Sequence, residues 1–207
     1  MSTCFIFGAG DMPKAVPNTA GALVIAADGG YLALKELGIK PDIVVGDFDS
    51  MDEVQGENVI KLKREKDDTD MAAAVGLALE RGAREIEIYG GLGGRRLSHT
   101  IANLQLIAAL SQKGIAARLC GDGCTATAVT GGALELKNPS GYISVFCFGN
   151  KAKGVTLKGL KYPLVNAELT NTYPLGVSNQ PVSDKAVIEV KSGTLIVIYG
   201  EKIQSML

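Results

Sequence analysis

The sequence carries almost no net charge, because 21 Lys and Arg residues balance 22 Asp and Glu residues to a formal charge of −1. A basic surface for nucleic acid or for an anionic membrane is therefore not expected. Long apolar runs are lacking too, and no stretch approaches the roughly 18 residues of a membrane-spanning helix. The amino-terminal segment MSTCFIF has no basic residue, which predicts no secretory signal peptide.

Cysteine is scarce and scattered, at Cys4, Cys120, Cys124 and Cys147. These positions have neither the spacing of a zinc site nor the pattern of a small disulfide-rich secreted protein. Cys120 and Cys124 are compatible with a redox or metal pair, but small buried side chains near strand ends are the favoured interpretation. Together with the missing signal sequence, this predicts a cytoplasmic protein.

Two nucleotide-binding patterns are also missing. The P-loop pattern Gly-x-x-x-x-Gly-Lys-Ser/Thr does not occur, which excludes that enzyme class. Gly8-x-Gly10 is only a weak match to a dinucleotide fingerprint, because Pro13 stands where the third glycine belongs. The 207 residues can form one large domain or two small ones.

Up to about residue 125, short apolar runs alternate with helical patterns, which predicts a parallel sheet covered on both faces. The predicted helices are Tyr31–Leu37, Thr69–Arg81 and Leu97–Lys113, and the predicted strands are Thr3–Phe7, Ala22–Ala27, Asp42–Val45, Val59–Leu62, Glu85–Tyr89 and Ala116–Cys120. Beyond about residue 130 the pattern is only β-like, with strands predicted at Leu134–Leu136, Tyr142–Phe148, Gly154–Leu157 and Thr194–Tyr199. We therefore predict an α/β domain over residues 1–130 and an all-β domain of sandwich type over 131–207.

A pair of acids follows the third predicted strand. Asp47 and Asp49 are two residues apart, so in extended backbone their side chains point the same way. Two carboxylates this close repel unless a cation or a proton lies between them. The pair therefore predicts a divalent metal, and behind it a phosphate-bearing substrate.

Glycines and acids recur where the predicted parallel strands end, which is the edge at which open sheets bind ligands. Four such loops contain Gly8–Asp11, Asp28–Gly30, Gly46–Asp49 and Gly90–Arg96. Glycine allows backbone amides to approach an anion closely. The coincidence of four loops favours a phosphate site more strongly than any single motif.

The segment Lys66–Asp70 opens the second predicted helix with three acids. Asp67 or Asp68 can serve as its N-cap, but capping does not account for three neighbouring carboxylates. We predict a ligand role for at least one of them and favour Asp70, which we expect one turn inside the helix and facing the strand ends.

Three basic residues lie near the start of the third helix. Arg95 and Arg96 are natural phosphate partners, although paired arginines before a helix are often simply solvated. His99 is the single histidine, and its position favours a structural hydrogen bond over a general base.

With these pieces in order, the chain resembles the thiamine pyrophosphokinase family. The ordered motifs extend over nearly the whole chain: Ala27–Gly30, Gly38–Asp42, Gly46–Ser50, Asp68–Asp70, Gly94–Arg96, His99–Leu104, Gly159–Tyr162 and Ser178–Asn179. The resemblance implies a Rossmann-like α/β catalytic domain, a smaller β-sandwich that binds thiamine, and a homodimer with active sites between subunits. It also implies a transferase that moves a diphosphate group from ATP to the thiamine hydroxyl with Mg²⁺ and releases AMP.

The resemblance also implies roles for particular residues. Asp47, Asp49 and Asp70 match the acids that handle metal and triphosphate, and oxygen-only ligation suits magnesium. The implied nucleotide-binding residues are Asp28, Gly29, Asp68, Thr69, Arg95, Arg96 and His99. The implied thiamine-binding residues are Tyr162, whose ring can stack on a cationic heterocycle, Ser178, Asn179 and Ser98.

The chain departs from the family pattern at two places. Ser98 stands where the family usually has an aspartate, which removes a charge that orients substrate. Tyr31-Leu32 replaces the usual Ala-Asn, which we interpret as a change in helix packing.

Two other functions are compatible with the motifs. In a haloacid-dehalogenase-type phosphatase, Asp47 would attack phosphorus, but the order and spacing of Lys66–Asp68 do not suit that family. The second is a thiamine- or nucleotide-sensing module without turnover, and Ser98 is the feature that supports it.

Overall fold

The computed structural model describes residues 3–48, 58–62, 68–94 and 96–201. Asp49 and Arg95, two of the predicted site residues, lie outside this part of the chain. The chain divides into two compact units, which we describe separately. The first comprises the described residues of Met1–Leu106 and Ile115–Asp122, and the second those of Ile107–Gly114 and Gly123–Leu207.

The first unit is built on a parallel sheet, as predicted. Its strands are β1 (Thr3–Phe7), β2 (Leu23–Ala27), β3 (Ile43–Gly46), β4 (Val59–Lys61), β5 (Glu85–Tyr89) and β6 (Ala116–Cys120). Their spatial order is β4-β3-β2-β1-β5-β6, and every neighbouring pair is parallel. The chain moves outward from β1 to β4 and then returns to place β5 on the other side of β1. The carboxyl ends of β1 and β5 therefore flank the point where the strand order reverses.

Three helices connect these strands: α1 (Gly30–Glu36), α2 (Asp70–Glu80) and α3 (Leu97–Gln112). Leu34 of α1 belongs to a buried cluster with Phe5 and Phe7 of β1 and with Tyr89 of β5. The α2 helix contacts β1, β2 and β3, yet none of its buried residues belongs to that cluster. Among the described residues, no helix combines the length and apolar character that crossing a membrane requires.

The second unit comprises the end of α3 and a set of antiparallel strands, and its described residues beyond Gly123 form no helix, which confirms the all-β character predicted for the carboxy-terminal region. Its strands are β7 (Thr125–Lys137), β8 (Tyr142–Cys147), β9 (Lys151–Lys158), β10 (Leu164–Thr170), β11 (Gly176–Asn179) and β12 (Lys185–Glu201). The long strand β12 pairs with β7 along one edge. Along its other edge, the first half of β12 pairs with β9 and the second half pairs with β8. Strand β10 pairs with the far edge of β9, and β11 pairs with the far edge of β8.

The strand bounds of the second unit differ from the prediction. The strand predicted at Leu134–Leu136 is the end of β7, and the one predicted at Thr194–Tyr199 is the end of β12. The predicted domain boundary at residue 130 falls inside β7. Strands β10 and β11 were not predicted at all.

Candidate functional site

A cleft of about 470 Å³ opens at the reversal point of the parallel sheet. It is lined by the loops that follow β1, β2 and β5 and by the first turns of α2 and α3. Its lining residues are Gly8, Ala9, Gly10, Asp11, Ala27, Asp28, Thr69, Asp70, Met71, Gly90, Gly91, Gly93, Gly94, Arg96, His99 and Asn103. Ligands of open α/β sheets bind at this position.

The loops after β1 and β5 meet through their backbones. The Gly8 amide donates to the Tyr89 carbonyl at 2.8 Å, and the Gly10 amide donates to the Gly90 carbonyl at 3.0 Å. A Cβ on Gly10 would lie 2.5 Å from that same carbonyl oxygen, so the contact requires glycine. The floor of the cleft is therefore backbone rather than side chains.

Side-chain donors from α3 bind two backbone carbonyls of the loop after β5. The Asn103 amide donates to the Gly91 carbonyl at 2.8 Å, and the Thr100 hydroxyl donates to the Gly93 carbonyl at 3.2 Å. The amides of Gly91, Leu92 and Gly93 donate no hydrogen bond to another residue within the described ranges. Amides left available beside glycines with positive φ are typical of an anion-binding loop.

Two of the predicted acids line the cleft. Asp28 follows β2 with a φ of 47°, and its backbone amide donates to the Val45 carbonyl at 2.8 Å. Its Oδ1 atom is buried. Asp70 lines the cleft from the start of α2, whereas Asp47 follows the neighbouring strand β3 and is not among the lining residues. The structure thus brings Asp28 and Asp70 to one cleft, with Asp47 one strand further along the same edge.

The start of α2 differs from the sequence interpretation. The N-cap is Thr69, whose Oγ1 accepts from the Ala72 amide at 3.1 Å, so the capping proposed for Asp67 or Asp68 is wrong. Asp70 is the first residue of the helix rather than one turn inside it. Thr69 has the extended backbone of an N-cap residue, and threonine is among the residues preferred at that position.

The start of α3 contributes two predicted residues to the cleft, Arg96 and His99, and both are exposed. The His99 amide donates to the Arg96 carbonyl at 2.9 Å. Ser98 is exposed and does not line the cleft, and Gly29 and Asp68 do not line it either.

Three of the four predicted thiamine residues, Tyr162, Ser178 and Asn179, lie in the second unit, whereas Ser98 lies in the first. The Asn179 side chain is buried and binds the backbone around Tyr162. Its Oδ1 atom accepts from the backbone amides of Tyr162 at 2.9 Å and Gln180 at 3.0 Å, and its Nδ2 atom donates to the Tyr162 carbonyl at 2.8 Å. Tyr162 is 59% exposed as a residue, and Lys161 Nζ lies 5.5 Å from the centroid of its ring. Asn179 therefore holds the backbone that carries the Tyr162 ring.

Sequence reasoning assigned no role to two lining residues, Asp11 and Asn103. A signal for Asn103 was present, since it is four residues after His99 and therefore on the same face of α3. The sequence places Asp11 in a strand-end loop but does not indicate its partner, because Gly94 is 83 positions away in the chain.

The acids suit magnesium by donor type, because Asp47 and Asp70 offer only carboxylate oxygens. Within residues 3–48, 58–62, 68–94 and 96–201, no three His, Cys, Asp or Glu side chains are grouped closely enough to hold a metal. Asp49, the third predicted ligand, lies outside these ranges.

All four cysteines lie in the described part of the chain, and none forms a disulfide. Burial, reinforced by Asp42, raises the pKa of the Cys4 thiol to about 12. Burial, reinforced by Glu87, raises the pKa of the Cys120 thiol to about 11. Neither thiol is therefore a nucleophile at neutral pH.

Comparison with known proteins covers both units. Residues 18–119 match the thiamin pyrophosphokinase catalytic domain, and residues 134–195 match the thiamin pyrophosphokinase vitamin B1 binding domain. The thiamine pyrophosphokinase of Bacillus subtilis is 30% identical over 204 residues, which cover 92% of this chain and 95% of the relative.

Solved structures agree with these matches. The crystal structure of thiamine pyrophosphokinase from Bacillus subtilis has a TM-score of 0.85 at 28% identity and covers 98% of this chain and 100% of its own. The crystal structure of thiamin pyrophosphokinase from Geobacillus thermodenitrificans has a TM-score of 0.82 at 25% identity, with 99% and 100% covered. The chain belongs to the thiamine pyrophosphokinase family.

Proposed function

We propose that the chain transfers a diphosphate group from ATP to the hydroxyl of thiamine, giving thiamine diphosphate and AMP. The observation that carries this proposal is the backbone-lined cleft at the reversal point of the sheet, in a chain that matches both family domains. A haloacid-dehalogenase-type phosphatase and a sensing module are not favoured, because the comparisons name neither.

The nucleotide binds in this cleft, and the first unit acts as a Rossmann-like nucleotide domain. The amides of the loop after β5 suit the triphosphate because backbone N–H groups bind phosphate without adding bulk. Arg96, with Arg95, supplies positive charge to the phosphates, and His99 donates a hydrogen bond. The remaining proposed nucleotide contacts are Asp28, Gly29, Asp68 and Thr69.

The proposed magnesium ligands are Asp47, Asp49 and Asp70. When bound, Mg²⁺ neutralises negative charge on the phosphate oxygens. The contribution of the chain is to place carboxylates at the ends of neighbouring elements, so that the ion is held with little reorganisation. Carboxylate donors suit this ion, which favours oxygen ligands.

The chemical step is an in-line displacement at the β-phosphorus of ATP. The thiamine hydroxyl forms the new P–O bond and loses its proton, while the bond between the α,β-bridging oxygen and the β-phosphorus breaks and AMP leaves. Such transfers depend on positioning and charge stabilisation rather than on covalent intermediates with the protein. The cleft supplies both through its backbone amides and its arginine.

The proposed thiamine contacts of the second unit are Tyr162, Ser178 and Asn179, and Ser98 at the start of α3 is a further proposed thiamine contact. The exposed Tyr162 ring suits a cationic heterocycle, and the buried Asn179 amide keeps that ring in place. We further propose a cytoplasmic homodimer whose active sites lie between subunits, as in the family resemblance, with the parallel unit as the catalytic domain and the antiparallel unit as a thiamine-binding sandwich.

Product analysis tests the proposed reaction. Purified protein is incubated with ATP, thiamine and MgCl₂, and the nucleotides and thiamine esters are separated by chromatography. We expect AMP and thiamine diphosphate in equal amounts. Free phosphate released without a requirement for thiamine would support a phosphatase, and thiamine binding without AMP would support a sensing module.

Replacing Ser98 by Asp is expected to increase thiamine affinity by about threefold to tenfold, because a carboxylate attracts the cationic substrate more strongly than a hydroxyl. Ser98 is exposed, so the new charge needs no burial. The measurement is the KM for thiamine at saturating ATP. Ser98→Asn is the matched control of similar size without charge, and equal KM values for the two variants would contradict the prediction.

A further inference from the structure

One peptide group of the cleft is held from both sides. Between Gly93 and Gly94, the carbonyl oxygen accepts from the Thr100 hydroxyl at 3.2 Å, and the amide donates to the Asp11 carboxylate at 2.8 Å. Both glycines have positive φ, 77° and 83°. Asp11 belongs to the loop after β1, so its bond joins two loops that line the same cleft.

Glycine alone does not determine the orientation of this peptide. With no Cβ on either side, the peptide plane has several accessible orientations. Because the C=O and N–H of a trans peptide point in opposite directions, a half-turn of the plane would exchange them. The Gly93 carbonyl would then face Asp11, and an ionised carboxylate only accepts hydrogen bonds. Asp11 therefore permits one orientation and opposes the other.

We propose that Asp11 is a positioning residue for phosphate recognition, which acts by fixing the orientation of the Gly93–Gly94 peptide. This inference rests on the proposed function, since the nucleotide is its ligand. In the fixed orientation the carbonyl is directed to Thr100, away from the carboxylate, and the loop enters α3 with Arg96 lining the cleft. Without Asp11, orientations that turn a carbonyl toward the bound phosphates become populated, and they weaken binding by repulsion.

ATP binding tests this inference directly and requires no turnover. Isothermal titration of the full chain with ATP and MgCl₂ is compared for wild type, Asp11→Ala and Asp11→Asn. We expect Asp11→Ala to weaken ATP binding about fivefold to tenfold, the effect of losing one orienting hydrogen bond. Asp11→Asn keeps an acceptor oxygen, but its Nδ2 group can also donate to the turned carbonyl, so it selects the orientation less well than the carboxylate and is expected to weaken ATP binding by about threefold to tenfold.

Asp122→Ala is the matched control. Like Asp11, Asp122 is an exposed carboxylate of the first unit, but it does not line the cleft. Its Oδ2 atom lies 4.0 Å from Nζ of Lys14, which belongs to the loop after β1. Its removal is expected to change ATP affinity by less than about twofold. Thermal unfolding of each variant verifies that the chain is folded.

Several results would overturn the inference. Equal ATP affinity of Asp11→Ala and wild type would do so, even with a lower unfolding temperature, because Asp11 would then be merely structural. Tighter binding by Asp11→Ala would mean that the carboxylate repels phosphate. ATP affinity of Asp11→Asn equal to that of wild type would mean that the carboxylate's lack of a donor is not what fixes the peptide. If the wild-type protein did not bind ATP, both the inference and the proposed function would be overturned. If it bound ATP but formed no AMP with thiamine, only the proposed diphosphate transfer would be overturned.

Discussion

Replacing Asp47 by Asn should lower turnover about a hundredfold or more while the chain stays folded. Asp47 directly follows β3, at the same sheet edge as Asp28 of the cleft. Asparagine has nearly the same shape but lacks the charge that attracts a divalent cation, and losses of transition-state charge stabilisation are of this size. The measurement is kcat for AMP formation at saturating ATP and thiamine over a range of MgCl₂ concentrations.

Asp42→Asn is the control for this variant. Asp42 lies at the opposite end of the same strand, where its carboxylate accepts from the Val24 amide at 2.8 Å. The substitution keeps an acceptor oxygen far from the cleft, so we expect turnover within about twofold of wild type and a stability change of about 1 kcal/mol or less. Near-normal turnover of Asp47→Asn at every MgCl₂ concentration would contradict the metal role.

Replacing Gly30 by Ala should destabilise the chain by about 3 kcal/mol. Gly30 is the first residue of α1, is buried, and lies so close to β1 that a Cβ would overlap the Phe7 carbonyl oxygen. Because that oxygen belongs to the backbone of a central strand, it cannot move away cheaply. The free energy of unfolding from urea denaturation measures the loss.

Replacing Gly76 by Ala should have the opposite effect and raise the free energy of unfolding. Gly76 lies inside α2, and a Cβ there would meet nothing within 4 Å. Alanine at such a helical position stabilises by about 0.5–1 kcal/mol, because it lowers the entropy of the unfolded chain. If Gly30→Ala and Gly76→Ala changed the stability equally, the close approach of α1 to β1 would be refuted.

The parallel unit was predictable because its strands are short segments rich in apolar residues and bounded by glycines and polar residues. The bounds predicted for β1, β5 and β6 agree with the structure. The continuous apolar run of β1 is typical of a strand buried on both faces, whereas β5 alternates glutamate with apolar residues and is buried mainly on its apolar side.

The antiparallel unit was predicted less well because its glycines do not end strands. Gly131 and Gly193 have φ values of 53° and 91° within β7 and β12, and the pairing of these strands shifts register between Val190 and Thr194. Glycine at an irregular step lets a long strand bend and continue, whereas in the sequence it is typical of a turn. Strand β10 was missed because only one of its seven residues is buried, which weakens the alternation of apolar and polar positions.

Some residues of the candidate site were predictable from local sequence, and others were not. Asp28, Asp70, Arg96 and His99 were predicted because each lies just after a strand or at the start of a helix, and the structure places all four at the cleft. The role of Asp11 was not predictable, since it depends on two loops meeting across the centre of the sheet. Local patterns locate strand ends, but only the tertiary fold determines which of them touch.

The fate of the β-phosphate of ATP tests the central claim most directly. The protein is incubated with thiamine, MgCl₂ and ATP labelled either at the α- or at the β-phosphate, and the products are separated. The account predicts that the β label appears in thiamine diphosphate and the α label in AMP. A β label in ADP, or in phosphate released without thiamine, would contradict it.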